Sequence, residues 1–102
     1  AFNGEGVSAI VGAGCSGASI TAAQYTRGSR TPVVSPASTS AELSEGMAYP
    51  YFARTFPSDS ATVMMMVDML QWLWNYTSIA LVHSSDQYGI SGSAQLSQAV
   101  YE

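Results

Sequence analysis

Short apolar runs alternate with helix-compatible segments along this chain. Each run is bounded by glycine, proline, serine or threonine, which is typical of buried strands. The predicted strands are residues 7–11, 32–35, 51–55 and 79–82. The predicted helices are residues 19–26, 60–74 and 91–101, with a single helical turn at 41–45. This alternation predicts parallel strands joined by crossover helices, which is an α/β fold.

The longest predicted helix has an apolar stripe at helical spacing. Its polar residues lie towards the other side, so we expect the stripe to face a core. Ser58 or Asp59 is suited to cap its N-terminus. The stripe consists of Val63, Met66, Val67, Leu70, Leu73 and Trp74.

A polar loop follows each predicted strand. These loops are residues 12–17, 36–40, 57–60 and 83–89. Ligands of parallel sheets bind beyond the carboxyl ends of the strands. We therefore expect the four loops to converge on one cleft.

Composition excludes several classes of partner. The chain has 102 residues, three of them Lys or Arg, and a net charge of -4. Binding to nucleic acid or to an anionic membrane surface requires a basic footprint, so neither partner is expected. The single Cys and single His lack metal-ligand spacing, so we expect no metal and no cofactor. The chain has no initiator Met and no signal-peptide pattern, and we expect it to be a piece of a larger protein.

The stretch after the first predicted strand favours an anion site at the start of a helix, where backbone N–H groups lack partners. Three interpretations remain open: a small carboxylate, a dinucleotide, or a tight turn with no ligand. The spacing of Gly12, Gly14 and Gly17 matches a dinucleotide motif. The acidic residue expected about 20 positions later is missing, because the next strand runs into Ser35, Pro36 and Ala37.

Other residues with possible chemistry are few. Ser16 and His83 do not form a recognisable hydrolase motif, because Ala18 stands where a nucleophile elbow needs glycine, so we expect no enzyme. The Tyr88 ring can lie over a ligand ammonium or simply pack on the next helix. Asn75 opens an Asn-Tyr-Thr sequon, a glycosylation site if the protein is secreted.

Six segments, taken in order, resemble the extracellular ligand-binding region of class C G-protein-coupled receptors, and in particular the metabotropic glutamate receptors. The wider family includes bacterial branched-chain amino acid binding proteins and natriuretic peptide receptors. Cys15, Gly17 and Ile90 depart from the pattern of the glutamate receptors. The six segments are GAGCS (12–16), PASTSAELS (36–44), YFART (51–55), PSD (57–59), WNY (74–76) and QYGISG (87–92).

The resemblance implies a type I periplasmic-binding-protein-like clamshell, with parallel sheets flanked by helices, incomplete in this chain. Residues 1–56 would belong to lobe 1 and residues 57–102 would begin lobe 2. By the same resemblance, Ser16 and Thr39 would hold an α-amino acid from lobe 1, while Asp59 and Tyr88 would reach it from lobe 2. Backbone amides at Cys15, Ser38 and Thr39 would assist.

The resemblance also implies a function. It implies a receptor on the extracellular side of the cell membrane that signals by lobe closure, forms a dimer in its full-length state, and contacts a G protein through parts absent here. One alternative is a periplasmic solute-binding protein of an amino acid transport system. A second alternative, from another class, is a nucleotide-dependent α/β enzyme. If residues 1–102 stand alone, uncovered sheet edges and apolar faces predict marginal stability or aggregation.

Overall fold

The computed structural model describes residues 6–101 and contains a small parallel sheet. Strands β1 (Ile10–Val11), β2 (Val33–Ser35) and β3 (Phe52–Arg54) lie in the order β1-β2-β3, and both neighbouring pairs are parallel. Ile10 is opposite Val33, which is in turn opposite Phe52. The predicted parallel α/β arrangement is confirmed for this part of the chain, with strands shorter than expected.

Helix α1 (Ser16–Thr26) connects β1 to β2, and a 3₁₀ helix (Ala41–Ser44) lies between β2 and β3. The core of this half is a cluster of buried side chains from α1 and the segment before β3. Val33 of the central strand is fully buried as well. The cluster consists of Ile20, Ala23, Leu43 and Tyr49, with Ala48 and Phe52 packed against it.

Helices α2 (Asp59–Asp68) and α3 (Gln87–Tyr101) pack against each other and form the other half of the molecule. A π-helical turn (Met69–Leu73) extends α2. Ser58 is the N-cap of α2, because its side chain accepts a hydrogen bond from the Ser60 N–H group. Val63 and Val67 are buried as predicted, whereas Met66, Leu73 and Trp74 are at least half exposed. The predicted apolar stripe is therefore only partly covered.

The predicted strand at residues 79–82 does not form. The segment between the π-helical turn and α3 contains no regular structure, and Val82 is 94% exposed. A strand is stable only when its N–H and C=O groups are paired with a neighbouring strand. Within residues 6–101 no strand lies beside this segment, so its apolar pattern alone cannot produce one.

The molecule is elongated. It measures 55 × 22 × 21 Å, and its radius of gyration is 16.2 Å, against about 13 Å for a compact chain of 100 residues. The sheet half and the α2–α3 half meet where α3 touches α1 and the 3₁₀ helix. The division into two lobes near residue 57 stays a prediction, and residues 1–5 and 102 lie outside the described part of the chain.

Candidate ligand-binding site

Three loops meet at one edge of the sheet. Because the strands are parallel, their carboxyl ends lie side by side. The loop after β1 leads into α1, the loop after β2 leads into the 3₁₀ helix, and the loop after β3 leads into α2. We call residues 36–40, the central one of these, the β2 loop. The candidate site residues lie in or beside these three loops and at the start of α3.

Buried serine hydroxyls tie the β2 loop to the loop after β1. The carbonyl oxygen of Ala13 accepts hydrogen bonds from Ser35 at 2.6 Å, Ser19 at 3.3 Å and Ser38 at 3.4 Å. Ser19 and Ser38 also lie 2.7 Å apart through their hydroxyl oxygens. These three serines are fully buried, and burial without such partners would cost about 1–3 kcal/mol per group. The cluster therefore fixes the relative position of two loops.

Ser16 anchors the β2 loop from the other side. It is the first residue of α1 and is 3% exposed. Its hydroxyl oxygen accepts a hydrogen bond from the Ser40 N–H group at 3.2 Å. The hydroxyl proton of Ser16 is not needed for that contact, so Ser16 can still donate to a ligand oxygen.

Thr39 and Asp59 are in direct contact although they are 20 residues apart. The Thr39 hydroxyl donates to the Asp59 Oδ2 atom at 2.8 Å. In return, the Asp59 N–H group donates to the Thr39 carbonyl oxygen at 2.9 Å. Asp59 is the first residue of α2, where the helix dipole stabilises a carboxylate. This reciprocal pair joins the sheet half to the first turn of α2.

Arg54, at the end of β3, contacts the same loop. Its Nη1 atom donates to the carbonyl oxygens of Ser40 at 2.7 Å and of Ser38 at 3.3 Å. Its Nη2 atom donates to the Ser44 hydroxyl. Arg54 was not predicted to be part of the site. It lies inside the predicted strand 51–55, and nothing in that local pattern indicates that its side chain reaches the β2 loop.

The first turn of α3 also approaches the β2 loop. The Gln87 side-chain amide donates to Glu42 at 2.6 Å, and the Ser40 hydroxyl donates to Ser91 at 3.2 Å. Glu42 also accepts a hydrogen bond from the Tyr49 hydroxyl at 2.9 Å. Burial raises the pKa of Tyr49, and the hydrogen bond to Glu42 raises it further. Glu42 thus links the core of the sheet half to α3.

The start of α3 is capped by Asp86. Its carboxylate accepts hydrogen bonds from the Ser84 hydroxyl and from the Gly89 N–H group, the latter at 3.0 Å. These two contacts, with the Ser84 hydroxyl first, lower the pKa of Asp86. Gly89 is buried, and a methyl group built on it would overlap the carbonyl oxygen of Ser84. The cap and the glycine together fix how the chain enters α3.

The structure brings some of the predicted site residues together and leaves others apart. Thr39 contacts Asp59, and Ser16 contacts Ser40, the residue that follows Thr39 in the β2 loop. The Ser38 hydroxyl points into the buried cluster. Tyr88 lies in the turn of α3 that touches the β2 loop and is 46% exposed, and its side chain makes no hydrogen bond or ring contact with residues 6–101.

Two further predicted residues are exposed. Cys15 is the N-cap residue of α1, and its thiol is free. Asn75 lies in the irregular segment after the π-helical turn, with a positive φ of 52°. Both side chains are open to solvent, so both can be reached by a ligand or a modifying enzyme.

The glycines of the loop after β1 do not behave as a dinucleotide motif requires. In that motif the third glycine permits close packing of helix against strand. A methyl group built on Gly17 would meet no atom within 4 Å, and the same holds for Gly14. Only Gly12, with φ at 132°, occupies a conformation that other residues rarely adopt. The spacing therefore reflects a turn into α1, without the packing that a dinucleotide site needs.

An apolar cavity of about 590 Å³ lies elsewhere, between α2 and α3. It contains none of the predicted site residues and no charged side chain. A zwitterionic ligand would lose its hydration there without gaining a charged partner. The cavity is therefore separate from the candidate site. Its apolar lining consists of Val67, Leu70, Ile79, Leu81, Leu96 and Val100.

Two kinds of feature do not occur within residues 6–101. No cluster of three His, Cys, Asp or Glu side chains is placed to hold a metal ion. None of the helices in that range combines the length and the apolar character needed to cross a membrane.

Comparison with known proteins identifies the family of the chain. Residues 2–102 match the family described as receptor family ligand binding region. A probable metabotropic glutamate receptor of Caenorhabditis elegans, mgl-1, is 43% identical over 90 residues, which are 87% of this chain and 9% of that receptor. Metabotropic glutamate receptor 6 of Oryctolagus cuniculus is 43% identical over 89 residues, or 86% of this chain and 10% of the receptor.

A third relative is also a metabotropic glutamate receptor. Metabotropic glutamate receptor 8 of Homo sapiens is 39% identical over 93 residues, which are 90% of this chain and 10% of the receptor. The chain thus spans about a tenth of the length of the curated relatives it matches. These relatives are receptors rather than enzymes, and the resemblance drawn from the sequence motifs is confirmed. The chain belongs to the receptor family ligand binding region.

Proposed function

We propose that this chain forms part of the extracellular ligand-binding region of a class C G-protein-coupled receptor and that its ligand is an α-amino acid. The main support is the meeting of Thr39 and Asp59 at the carboxyl edge of the sheet, where the starts of α1 and α3 also lie. The relatives named above are metabotropic glutamate receptors, which makes L-glutamate the first ligand to test.

The carboxylate of the ligand would bind to the sheet half. The first turn of α1 offers unpaired N–H groups at its positive end, and the Ser16 hydroxyl lies beside them. The Thr39 backbone N–H group lies in the neighbouring β2 loop. The Thr39 hydroxyl, which donates to Asp59 in the absence of ligand, would turn to donate to the ligand carboxylate. Cys15 contributes through its backbone, and Ser38 supports the loop from within. Hydroxyl and amide donors are the groups that a carboxylate prefers.

The ammonium group of the ligand would bind to the other half. Asp59 provides a carboxylate whose Oδ1 atom accepts no hydrogen bond within residues 6–101. Tyr88 provides an exposed aromatic ring on the turn of α3 that faces the same loop. An acid and an aromatic face together are a favourable environment for an ammonium ion.

Ligand contacts from two halves provide a signalling mechanism. A ligand that contacts both halves binds the closed arrangement more tightly than the open one, and so shifts the population towards closure. We propose that closure is the signal, that the full-length receptor is a dimer, and that a G protein is contacted by other parts of it. The alternative of a periplasmic solute-binding protein uses the same site without signalling.

A direct titration separates this proposal from the enzyme alternative. A ligand-binding region that includes these residues is titrated with L-glutamate, with other α-amino acids and with nicotinamide nucleotides. Binding of an amino acid, and no binding of the nucleotides, is expected. Binding of a nucleotide in the absence of amino acid binding would overturn the proposal.

A further inference from the structure

We infer that Arg54 is a positioning residue that holds Thr39 in its binding orientation by binding the carbonyl groups of the residues on both sides of it. This inference rests on the proposed function, because it concerns the same site. Arg54 itself does not need to touch the ligand. Its partners are the carbonyl oxygens of Ser38 and Ser40, the two residues that flank Thr39.

The direction of the Thr39 N–H group follows from the Ser38 carbonyl contact, because the peptide group that joins them is planar. In a trans peptide group the C=O and the following N–H point in opposite directions. Because the Ser38 carbonyl faces Arg54, the N–H group of Thr39 is turned away from Arg54. That N–H group donates no hydrogen bond within residues 6–101, although Thr39 is partly buried. An unpaired amide beside a hydroxyl is what a carboxylate ligand requires.

The neighbouring peptide groups are fixed as well. The Thr39 carbonyl oxygen accepts from the Asp59 N–H group, and the Ser40 N–H group donates to Ser16. Three consecutive carbonyl oxygens, those of Ser38, Thr39 and Ser40, therefore each have a donor. Arg54 supplies two of the three, and these bonds are charge-assisted, which makes them stronger than neutral ones.

Arg54 has the geometry for this role and Lys does not. A guanidinium group presents several N–H donors in a rigid plane, whereas an ammonium group is a compact charge on a flexible stem. The Nη1 atom reaches two carbonyl oxygens while Nη2 reaches the Ser44 hydroxyl on the 3₁₀ helix. The guanidinium group therefore connects the β2 loop to the 3₁₀ helix that follows it. A lysine could make only some of these hydrogen bonds.

The experiment measures ligand affinity and loop order separately. Arg54→Met and Arg54→Lys are introduced into a ligand-binding region that includes these residues, and Arg27→Met, at the exposed end of α1, is the control. Hydrogen exchange is measured on residues 36–44 without ligand, and L-glutamate affinity is measured by calorimetry. Thermal melting reports on folding, and the fraction of binding-competent protein is determined for each variant.

Arg54→Met is expected to speed exchange in residues 36–44 and to weaken L-glutamate binding about tenfold in the folded fraction. Arg54→Lys should give smaller changes of both kinds, and Arg27→Met should give neither. Unchanged exchange in the β2 loop of Arg54→Met would overturn the inference, whether or not affinity falls. Faster exchange with unchanged affinity would also overturn it, because ligand binding would then not depend on the order that Arg54 gives the loop.

The two readouts also distinguish this inference from the proposed function. If the unsubstituted protein does not bind any amino acid, the proposed function fails. The exchange data then still report whether Arg54 orders the loop. If Arg54→Met does not fold, Arg54→Lys replaces it, since a lysine keeps the positive charge but cannot make all the hydrogen bonds of the guanidinium group. Faster exchange of residues 36–44 in Arg54→Lys supports the inference, and unchanged exchange opposes it.

Discussion

At the scale of single residues, Gly89 is constrained by its surroundings and Gly92 is not. Both glycines lie in α3, but only at Gly89 would an added methyl group overlap the Ser84 carbonyl oxygen. Gly89→Ala is expected to destabilise the protein by about 1–3 kcal/mol through overpacking. Gly92→Ala is expected to stabilise it by about 0.5–1 kcal/mol, because alanine favours helix. Denaturant unfolding of both variants checks this, and equal effects would show that the contact with Ser84 is unimportant.

Asn75 is the residue at which a covalent modification is expected. It opens the sequon, is exposed, and lies in an irregular segment. Expression through a secretory pathway should give a protein whose mobility increases on treatment with a peptide N-glycosidase. Asn75→Gln should abolish the part of that shift due to this site, and Asn3→Gln, which is not in a sequon, should not. A shift that is the same in Asn75→Gln and the unsubstituted protein would contradict the assignment.

Single residues also show what the sequence could and could not reveal about the site. Ser16, Thr39 and Asp59 were identifiable because their motifs resemble those of a known family. Arg54 and Ser19 were not, because their roles depend on contacts with residues distant in sequence. Ser19 is 19 positions from Ser38 and Arg54 is 14 from Ser40. No local pattern predicts such contacts.

At the scale of elements, the cap of α3 makes its stability depend on pH. The folded pKa of Asp86 is lowered by the Ser84 hydroxyl and the Gly89 N–H group. A lowered pKa means that the carboxylate stabilises the folded state above its unfolded pKa of about 3.9. That stabilisation is lost as the pH falls through the still lower folded pKa.

Circular dichroism during acid titration tests this. The unsubstituted protein should lose helix below about pH 4, and Asp86→Asn should have less helix at neutral pH and a smaller loss on acidification. Asp68→Asn, at the opposite end of a different helix, is the control and should titrate like the unsubstituted protein. Identical acid transitions in Asp86→Asn and the unsubstituted protein would contradict the capping role.

Elements differ in how far the sequence determines them. The three strands that pair with one another and the helices were predicted within a few residues, because hydrophobic spacing and capping residues act locally. The segment at residues 79–82 has the composition of a strand but remains irregular, because strand formation needs a partner that residues 6–101 do not provide. The π-helical turn was not predictable either, since its residues have ordinary helical propensity.

At the scale of the whole molecule, apolar surface is the dominant feature of the 102-residue chain taken alone. Trp72 is 85% exposed and Val82 is 94% exposed, and the cavity between α2 and α3 has a largely apolar lining. Soluble monomers rarely expose extended apolar patches. The isolated chain is therefore expected to aggregate or to melt without cooperativity, and to bind a hydrophobic dye.

Sedimentation and thermal melting of the purified chain check that expectation. Val82→Ser should reduce dye binding without lowering stability, whereas Val67→Ser, at a buried position, should lower stability. A monomer with a sharp, cooperative melt and no dye binding would contradict the prediction.

The proposed ligand site is tested most directly by the L-glutamate affinity of Thr39→Ala, measured by calorimetry in a ligand-binding region that includes these residues. Thr21→Ala is the matched control, because Thr21 is exposed on α1 and its hydroxyl bonds only within that helix. Loss of the Thr39 hydroxyl should weaken binding by about 1–3 kcal/mol, or roughly tenfold to a hundredfold, while Thr21→Ala binds normally. Equal affinity of Thr39→Ala and the unsubstituted protein would show that the β2 loop is not part of the ligand site.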